Sequence, residues 1–380
     1  MLANLIRSAA RAGASDLHFE PGLPVMMRVD GTLRKAAEPI GAQALQDAAR
    51  DLIPAAEWSR FLERRSADLS KVMGGVSCRI NVMQSMRGVG MAVRLLSGAQ
   101  PTLARLNLHP DLAELVQRKH GLVLVAGATG SGKSSTLAAL IHALDRAPSK
   151  HVLTLEEPVE YRLRMQHAFV RQREVGQHTP SFEQGLLDAL REDPDVILVG
   201  EMRRARTMEL TLDAAETGHL VLASMHASSA SEAISRLVSS FPPESQAGVR
   251  AQLANCLVGV LTQRLVRRPG LDFRVPECEV LRASSGIRAV IREGHLHKLA
   301  SLMELGAPDG QWSFARYQRW LDGRSSFLKP KLQDGAAAPI PRPPPLARPS
   351  TGVTGGGDGV LDLGDGGGDL EDLIKQIQDR

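Results

Sequence analysis

The sequence predicts an α/β protein with a mostly parallel sheet covered by helices, a smaller α/β region before it and a Pro/Gly-rich tail after it. Two observations carry this expectation. First, short apolar runs at 122–126, 151–155, 196–199 and 219–224 alternate with stretches of helical spacing. Residues 122–126 are apolar without a break, the pattern of a strand buried on both faces of a parallel sheet. Second, the run Gly127-Ala128-Thr129-Gly130-Ser131-Gly132-Lys133-Ser134 lies between the first of these strands and a helix at 134–144. A glycine-rich turn joining a buried strand to a helix is a βα unit with a phosphate-sized cradle.

The elements follow in order. Residues 1–11 form an amphipathic helix (Leu2, Leu5, Ile6, Ala9) with neither the apolar centre nor the cleavage site of a leader. Strands are expected at 17–19, 25–29, 77–83 and 90–95, and helices at 42–52 and 54–65, separated by Gly and Pro. Gly98-Ala99-Gln100-Pro101 reads as a linker. In the second region Ser181 is placed to cap a helix over 181–192, and Gly218 to close one over 207–216. Beyond about 230 the pattern turns mainly helical. The expected division is therefore 1–98, a linker over 99–106, a second domain over 107–330, and a tail over 331–380. The tail holds ten Gly and six Pro, with eight acidic and five basic residues, a composition expected to remain disordered. Its end, 369–377, has helical spacing and reads as a frayed terminus rather than a docking peptide.

Composition excludes several classes. With 43% hydrophobic and 23% charged residues the chain has a globular core, yet no apolar run approaches the roughly 18 residues of a spanning helix. Cys78, Cys256 and Cys278 stand alone, so they build neither a disulfide framework nor a four-cysteine zinc site, which fits a reducing compartment. The net charge of +4 hints at an anionic partner, but basic and acidic residues are interleaved and aromatics amount to 3%, a poor supply for stacking bases. Dedicated nucleic-acid binding is not expected.

The glycine-rich run matches G-x-x-x-x-G-K-[ST]. Glycines let successive backbone N–H groups curl around a phosphate, and the helix N-terminus adds its positive end. The cradle is residues Gly127 to Ser134, with Ser135 beside it. Lys133 is expected on the β- and γ-phosphates of ATP and the Ser134 hydroxyl on Mg²⁺. A carboxylate at the end of a neighbouring strand completes such a site, and Glu201, after the strand 196–199, supplies it. Asp195 lies at the opposite end of that strand and reads as a turn residue. A second acidic group, Glu156-Glu157-Pro158-Val159-Glu160, follows the strand 151–155 and offers a general base for an attacking water. His219 and His226 flank the apolar run Leu220–Met225; His226 lies at its C-terminal end, at the same edge, whereas His219 precedes it and reads as packing. Arg79 and Arg94, on two strands of the first region, read by themselves as solvated surface.

Taken together, Gly127–Ser134, then TLEEPVEY at 154–161, LREDPDVILVGEMR at 190–203 and AAETGHLVLASMH at 214–226 resemble the secretion and type IV pilus ATPase superfamily. The order is Walker A, Asp box, Walker B, His box. Ala14-Ser15-Asp16-Leu17-His18 is close to a further family signature. Gly286-Ile287-Arg288-Ala289-Val290-Ile291-Arg292-Glu293 is similar to the AIRNLIRE motif of PilT-type retraction ATPases, with Gly286 and Ala289 in place of Ala and Asn; Glu157 replaces the usual Asp of the Asp box. The resemblance implies a homohexamer, each subunit with a PAS-like N-terminal domain and a RecA-like motor domain. It implies Glu160 as catalytic base, Glu201 as Walker B acid, His226 as sensor, and Arg79 and Arg94 as arginines that reach the phosphates. It also implies a cytoplasmic enzyme at the inner membrane, acting through a pilus platform protein and in some systems beside a paralogous (PilU-type) ATPase. The absence of paired CxxC motifs agrees with the retraction branch. Pilus extension, type II secretion, DNA uptake, and an accessory nucleotide-binding subunit are the alternatives.

Overall fold

The computed structural model describes residues 1–29, 31–96, 100–144, 150–164, 167–306 and 309–329. The described residues belong to one compact unit, Met1–Ala338. Residues 98 and 99 of the expected linker and the whole tail, with its 369–377 segment, lie outside the described residues.

The first region opens with α1 (Leu2–Arg11), whose Leu2, Ile6, Ala9 and Ala10 are buried as the amphipathic spacing requires. It continues through β1 (Ala14–Phe19), β2 (Val25–Val29), β3 (Thr32–Ala37), α2 (Ala42–Leu52), α3 (Trp58–Arg64), β4 (Ser66–Met73), β5 (Val76–Ser85) and β6 (Gly88–Leu95). Among the described residues these strands form one antiparallel sheet in the order β3-β2-β1-β6-β5-β4. Strands β3 and β4 are absent from the sequence reading. Both are sheet edges, and the first four residues of β3 are exposed, so no burial imposes apolar alternation on that strand.

The second region is built from β7 (Gly121–Ala126), α4 (Lys133–Leu144), β8 (His151–Glu156), β9 (Phe169–Glu174), α5 (Phe182–Ala189), β10 (Val196–Val199), α6 (Ala205–Glu216) and β11 (Leu220–Met225). It ends with α7 (Ala230–Ser239), α8 (Gln246–Cys256), β12 (Leu257–Arg267), β13 (Arg274–Arg282), α9 (Ser285–Glu293), α10 (Leu299–Leu305) and α11 (Phe314–Asp322). The sheet order is β13-β12-β7-β11-β10-β8-β9, parallel except for β13. Every residue of β7, β10 and β11 is buried, because helices cover both faces. Side chains alternate between two cores. Leu122, Leu124, Ile197 and Val221 pack towards α5–α9, while Val123, Val125, Val196 and Leu222 pack towards α4 and α11.

Helices do follow residue 230, but β12 and β13 interrupt them and extend the sheet, against the mainly helical expectation. No Gly or Pro separates α8 from β12, so the chain changes from helix to strand without sequence punctuation. Pro276 argues against a strand by itself; it is accommodated because β13 is the edge. The expected caps hold locally: Ser181 Oγ accepts from Gln184 N at 3.1 Å, and Gly218 takes φ +114° after α6.

All parallel strands point their carboxyl ends to one side. The loops after β7, β8, β10 and β11 therefore meet there, which is where an open α/β sheet binds its ligand.

Candidate nucleotide site

These loops and the first region line a cleft of about 1370 Å³. Thr129, Gly130, Gly132, Lys133, Ser134 and Ser135 come from the phosphate loop and the start of α4, Glu156 from the end of β8, and Glu157 and Glu160 from the loop after it. Gly200 and Glu201 follow β10, His226 follows β11, and Arg79 and Arg94 reach in from the first region. Asp195 is far from this edge of the sheet; it accepts from the His151 backbone N–H at 2.8 Å and from Lys150 at 3.0 Å. His219 lies at the N-terminal end of β11, its Nδ1 3.1 Å from the Ala214 carbonyl oxygen.

The loop is shaped for an anion. Gly127, Gly130 and Gly132 have φ of +153°, +75° and +89°, all left-handed or beyond what a side chain accepts readily. A Cβ on Gly132 would lie 2.9 Å from Gln263 Nε2. Gln263 is the principal residue the sequence did not disclose. It is buried on β12, one position past Thr262, which pairs with Ala126 at the end of β7. Its Nε2 donates to the Ser131 carbonyl at 2.6 Å, and its Oε1 accepts from Thr136 Oγ1 at 2.6 Å. One side chain thus ties the loop to the helix it opens. The signal was a polar Gln after an apolar run, readable only once 257–267 is recognised as a strand.

Lys133 Nζ donates to the carbonyls of Gly127 at 2.8 Å and Ala128 at 3.0 Å, which holds the ammonium over the loop. Burial lowers its pKa, while the charges of Glu201 and Glu160 pull it back up, so both carboxylates face the ammonium. A triphosphate fits this set: a positive-φ glycine cradle and a cation held over it. For Mg²⁺ the donors in the cleft are the Ser134 hydroxyl and the Glu201 carboxylate. Both are hard oxygens, the ligand type that ion takes alongside waters and phosphate.

Glu201 is half-buried. Its Oε1 lies 3.0 Å from His226 Nε2 and its Oε2 accepts from Arg203 at 2.7 Å. Arg203 was not singled out in the sequence; nor were Arg60 and Arg64 of α3, which line the opposite wall. Arg79 and Arg94 are direct cross-strand partners on β5 and β6. Like charges at such positions repel unless an anion intervenes. One is already present, since Arg94 Nε donates to Asp16 Oδ1 at 2.9 Å from the neighbouring β1. Asp16 belongs to the 14–18 motif and steers Arg94. Both arginines stand on the same chain as the phosphate loop they face.

Glu156, the last residue of β8, is held in place by two hydrogen bonds. Glu156 accepts from Thr154 Oγ1 at 2.7 Å and Gln172 Nε2 at 3.0 Å. Burial, with the charge of Glu160 adding to it, pushes the Glu156 carboxyl up to about 7 against those two hydrogen bonds. A carboxyl whose folded pKa lies above its unfolded value of 4.5 favours the fold fully below that value and loses the contribution as pH rises through about 7. Glu156→Gln keeps the accepting oxygen without the charge. We expect its stability relative to the parent to rise by on the order of 2 kcal/mol between about pH 5 and pH 8, read from denaturant midpoints. A difference that is constant with pH would contradict the burial of a neutral acid here.

No helix among the described residues is long and apolar enough to cross a membrane. Cys78, Cys256 and Cys278 are buried and free, and burial pushes their thiols well up, which leaves them inert.

Comparison with known proteins agrees with this architecture. The chain is 38% identical over 311 residues to the uncharacterised protein YggR of Escherichia coli, covering 82% of this chain and 94% of that one. It is 36% identical over 340 residues to the type IV pilus retraction ATPase PilT of Pseudomonas aeruginosa, covering 89% and 98%. The crystal structure of the pilus retraction motor PilT with bound ADP superposes with a TM-score of 0.78 at 37% identity, over 84% of this chain and 92% of that one. The family model described as Type II/IV secretion system protein matches residues 1–296. With that much of the chain accounted for, and a solved relative of the same α/β architecture, this protein belongs to the Type II/IV secretion system protein family.

Proposed function

We propose that this protein hydrolyses ATP in the cleft and, as a homohexamer, converts the cycle into type IV pilus retraction. One observation carries the reading. A phosphate loop, four acids (Glu156, Glu157, Glu160 and Glu201) and a histidine at the carboxyl edge of one sheet face two arginines carried by the other, in a single chain. Kinship to PilT over nearly that protein's whole length supports the choice of task. In this reading residues 1–98 are the PAS-like domain and 107–330 the RecA-like motor.

The chain's groups divide the work. Backbone N–H groups of residues 127–133 hold the phosphates, and Lys133 exchanges its two loop carbonyls for phosphate oxygens. Ser134 and Glu201 would hold Mg²⁺, which would neutralise phosphate charge when bound with the nucleotide. Glu160 takes the proton from the attacking water. His226, bonded to Glu201, senses the γ-phosphate. Arg79 and Arg94 close on the charge that develops there, and their closure brings the two sheets together. The protein works on the cytoplasmic face of the inner membrane through the pilus platform protein; a paralogous ATPase is a further partner.

Replacing Arg79 or Arg94 by Ala should lower kcat about a hundredfold while nucleotide affinity changes only a fewfold, since the arginines act on developing charge. Equal loss of affinity and kcat would contradict that role. In cells, removing the gene should leave surplus pili that fail to retract; loss of pili would instead assign the motor to assembly. Gly286 and Ala289 depart from the retraction motif, and an accessory nucleotide-binding role is the second reading, which predicts slow turnover by the isolated assembly.

A further inference from the structure

The loop that carries Glu160, residues 157–164, has no helix or strand of its own, so its shape depends on side chains that bond its backbone. Two of them come from β9. Glu174 accepts from the Val159 N–H at 3.0 Å. Gln172 accepts from the Leu163 N–H at 2.9 Å and donates to the Tyr161 carbonyl at 2.9 Å. A third comes from elsewhere. Gln100 Nε2 donates to the Arg162 carbonyl at 2.6 Å, and Gln100 Oε1 accepts from the Arg164 N–H at 3.2 Å. The side-chain amide therefore pairs with the loop as a neighbouring strand would, using both its donor and its acceptor.

Gln100 does not belong to the parallel sheet. It lies six residues past Arg94 in the stretch that leaves β6, between the two regions. Bonds from β9 hold the loop at Val159, Tyr161 and Leu163, and the Gln100 pair holds it at Arg162 and Arg164. These two hydrogen bonds lie two and four residues beyond Glu160, and misplacement of a catalytic group by about 1 Å costs up to about a hundredfold in rate.

We propose that Gln100 is a positioning residue that sets the placement of the Glu160 carboxylate by holding the loop backbone at Arg162 and Arg164. The proposal rests on the reading of Glu160 as general base. Gln100 touches no nucleotide in this account; it acts through the loop backbone.

The test uses the full chain and Mg-ATP. Gln100→Ala should lower kcat about tenfold and leave the affinity for a fluorescent ATP analogue within about twofold. Gln100→Glu should fare no better, because a carboxylate cannot donate to the Arg162 carbonyl. In a Glu160→Gln background, Gln100→Ala should cost nothing further, since the carboxylate it positions is gone. Undiminished kcat in Gln100→Ala, or a full additional loss in the Glu160→Gln background, overturns the coupling while leaving the base assignment intact. Normal turnover by Glu160→Gln overturns both, and so separates the two failures. Should the Gln100 variants not fold, amide exchange in the unaltered protein decides: the Arg164 N–H should be protected, and free exchange there would refute the clamp.

Discussion

Glu160→Gln should bind ATP with an affinity close to that of the parent and lose about a thousandfold or more in kcat. The substitution keeps size and hydrogen-bonding capacity but removes the group that accepts the proton of the attacking water, and general-base catalysis is worth about 10²–10⁴-fold. Among the acids after β8, Glu160 suits this task better than its neighbours. Glu156 is committed to Thr154 and Gln172 and is pushed towards its neutral form, whereas the field of Glu160 reaches Lys133 across the phosphate site. The structure thus sets an acid pushed up by desolvation and held by two hydrogen bonds apart from the acid four residues on. Single-turnover rates with retained nucleotide check this; a variant that turns over normally would move the base to another residue.

Lys133→Ala should be more damaging, removing binding and turnover together. Its ammonium is the cation held directly over the loop, half-buried and faced by two carboxylates. Without it the cleft retains Glu156, Glu157, Glu160 and Glu201 around a site for a polyanion, with the arginines on the far wall. Electrostatic repulsion then opposes the phosphates where it was offset before. We expect nucleotide affinity to fall at least about a hundredfold and kcat/KM by about 10⁴ or more. Isothermal titration and steady-state assays read both; retained affinity would mean that the backbone cradle alone holds the nucleotide.

Much of this arrangement was legible before any coordinates, and the reason is specific. Residues 122–126 are apolar on both faces because β7 is covered on both, and the glycines that follow are needed at positive φ, so strand and loop announce themselves. Glu201 and His226 end the neighbouring strands β10 and β11, and position in the chain fixes position in the site. The first region was read through its buried strands, β1, β2, β5 and β6, but not through its edges, where exposed residues such as Leu33 and Arg34 carry no pattern. Gln263 and Gln100 were hidden for another reason. Each acts by a side-chain amide bonded to backbone far away in sequence, across 132 residues to Ser131 in one case and 62 to Arg162 in the other. Such bonds leave no periodicity and no motif. The adjacency of Arg79 and Arg94 likewise depends on the register between β5 and β6, which spacing alone leaves undetermined.

The central claim is that one cleft brings the phosphate loop and the acid loop onto the same terminal phosphate. A structure of the full chain with a non-hydrolysable ATP analogue and Mg²⁺ tests it most directly. The account predicts the γ-phosphate within hydrogen-bond distance of Lys133 Nζ, with the Glu160 carboxylate facing its phosphorus through one water and Arg79 or Arg94 drawn onto its oxygens. A triphosphate seated elsewhere in the cleft, or one whose terminal phosphorus has no carboxylate across a water, would contradict it.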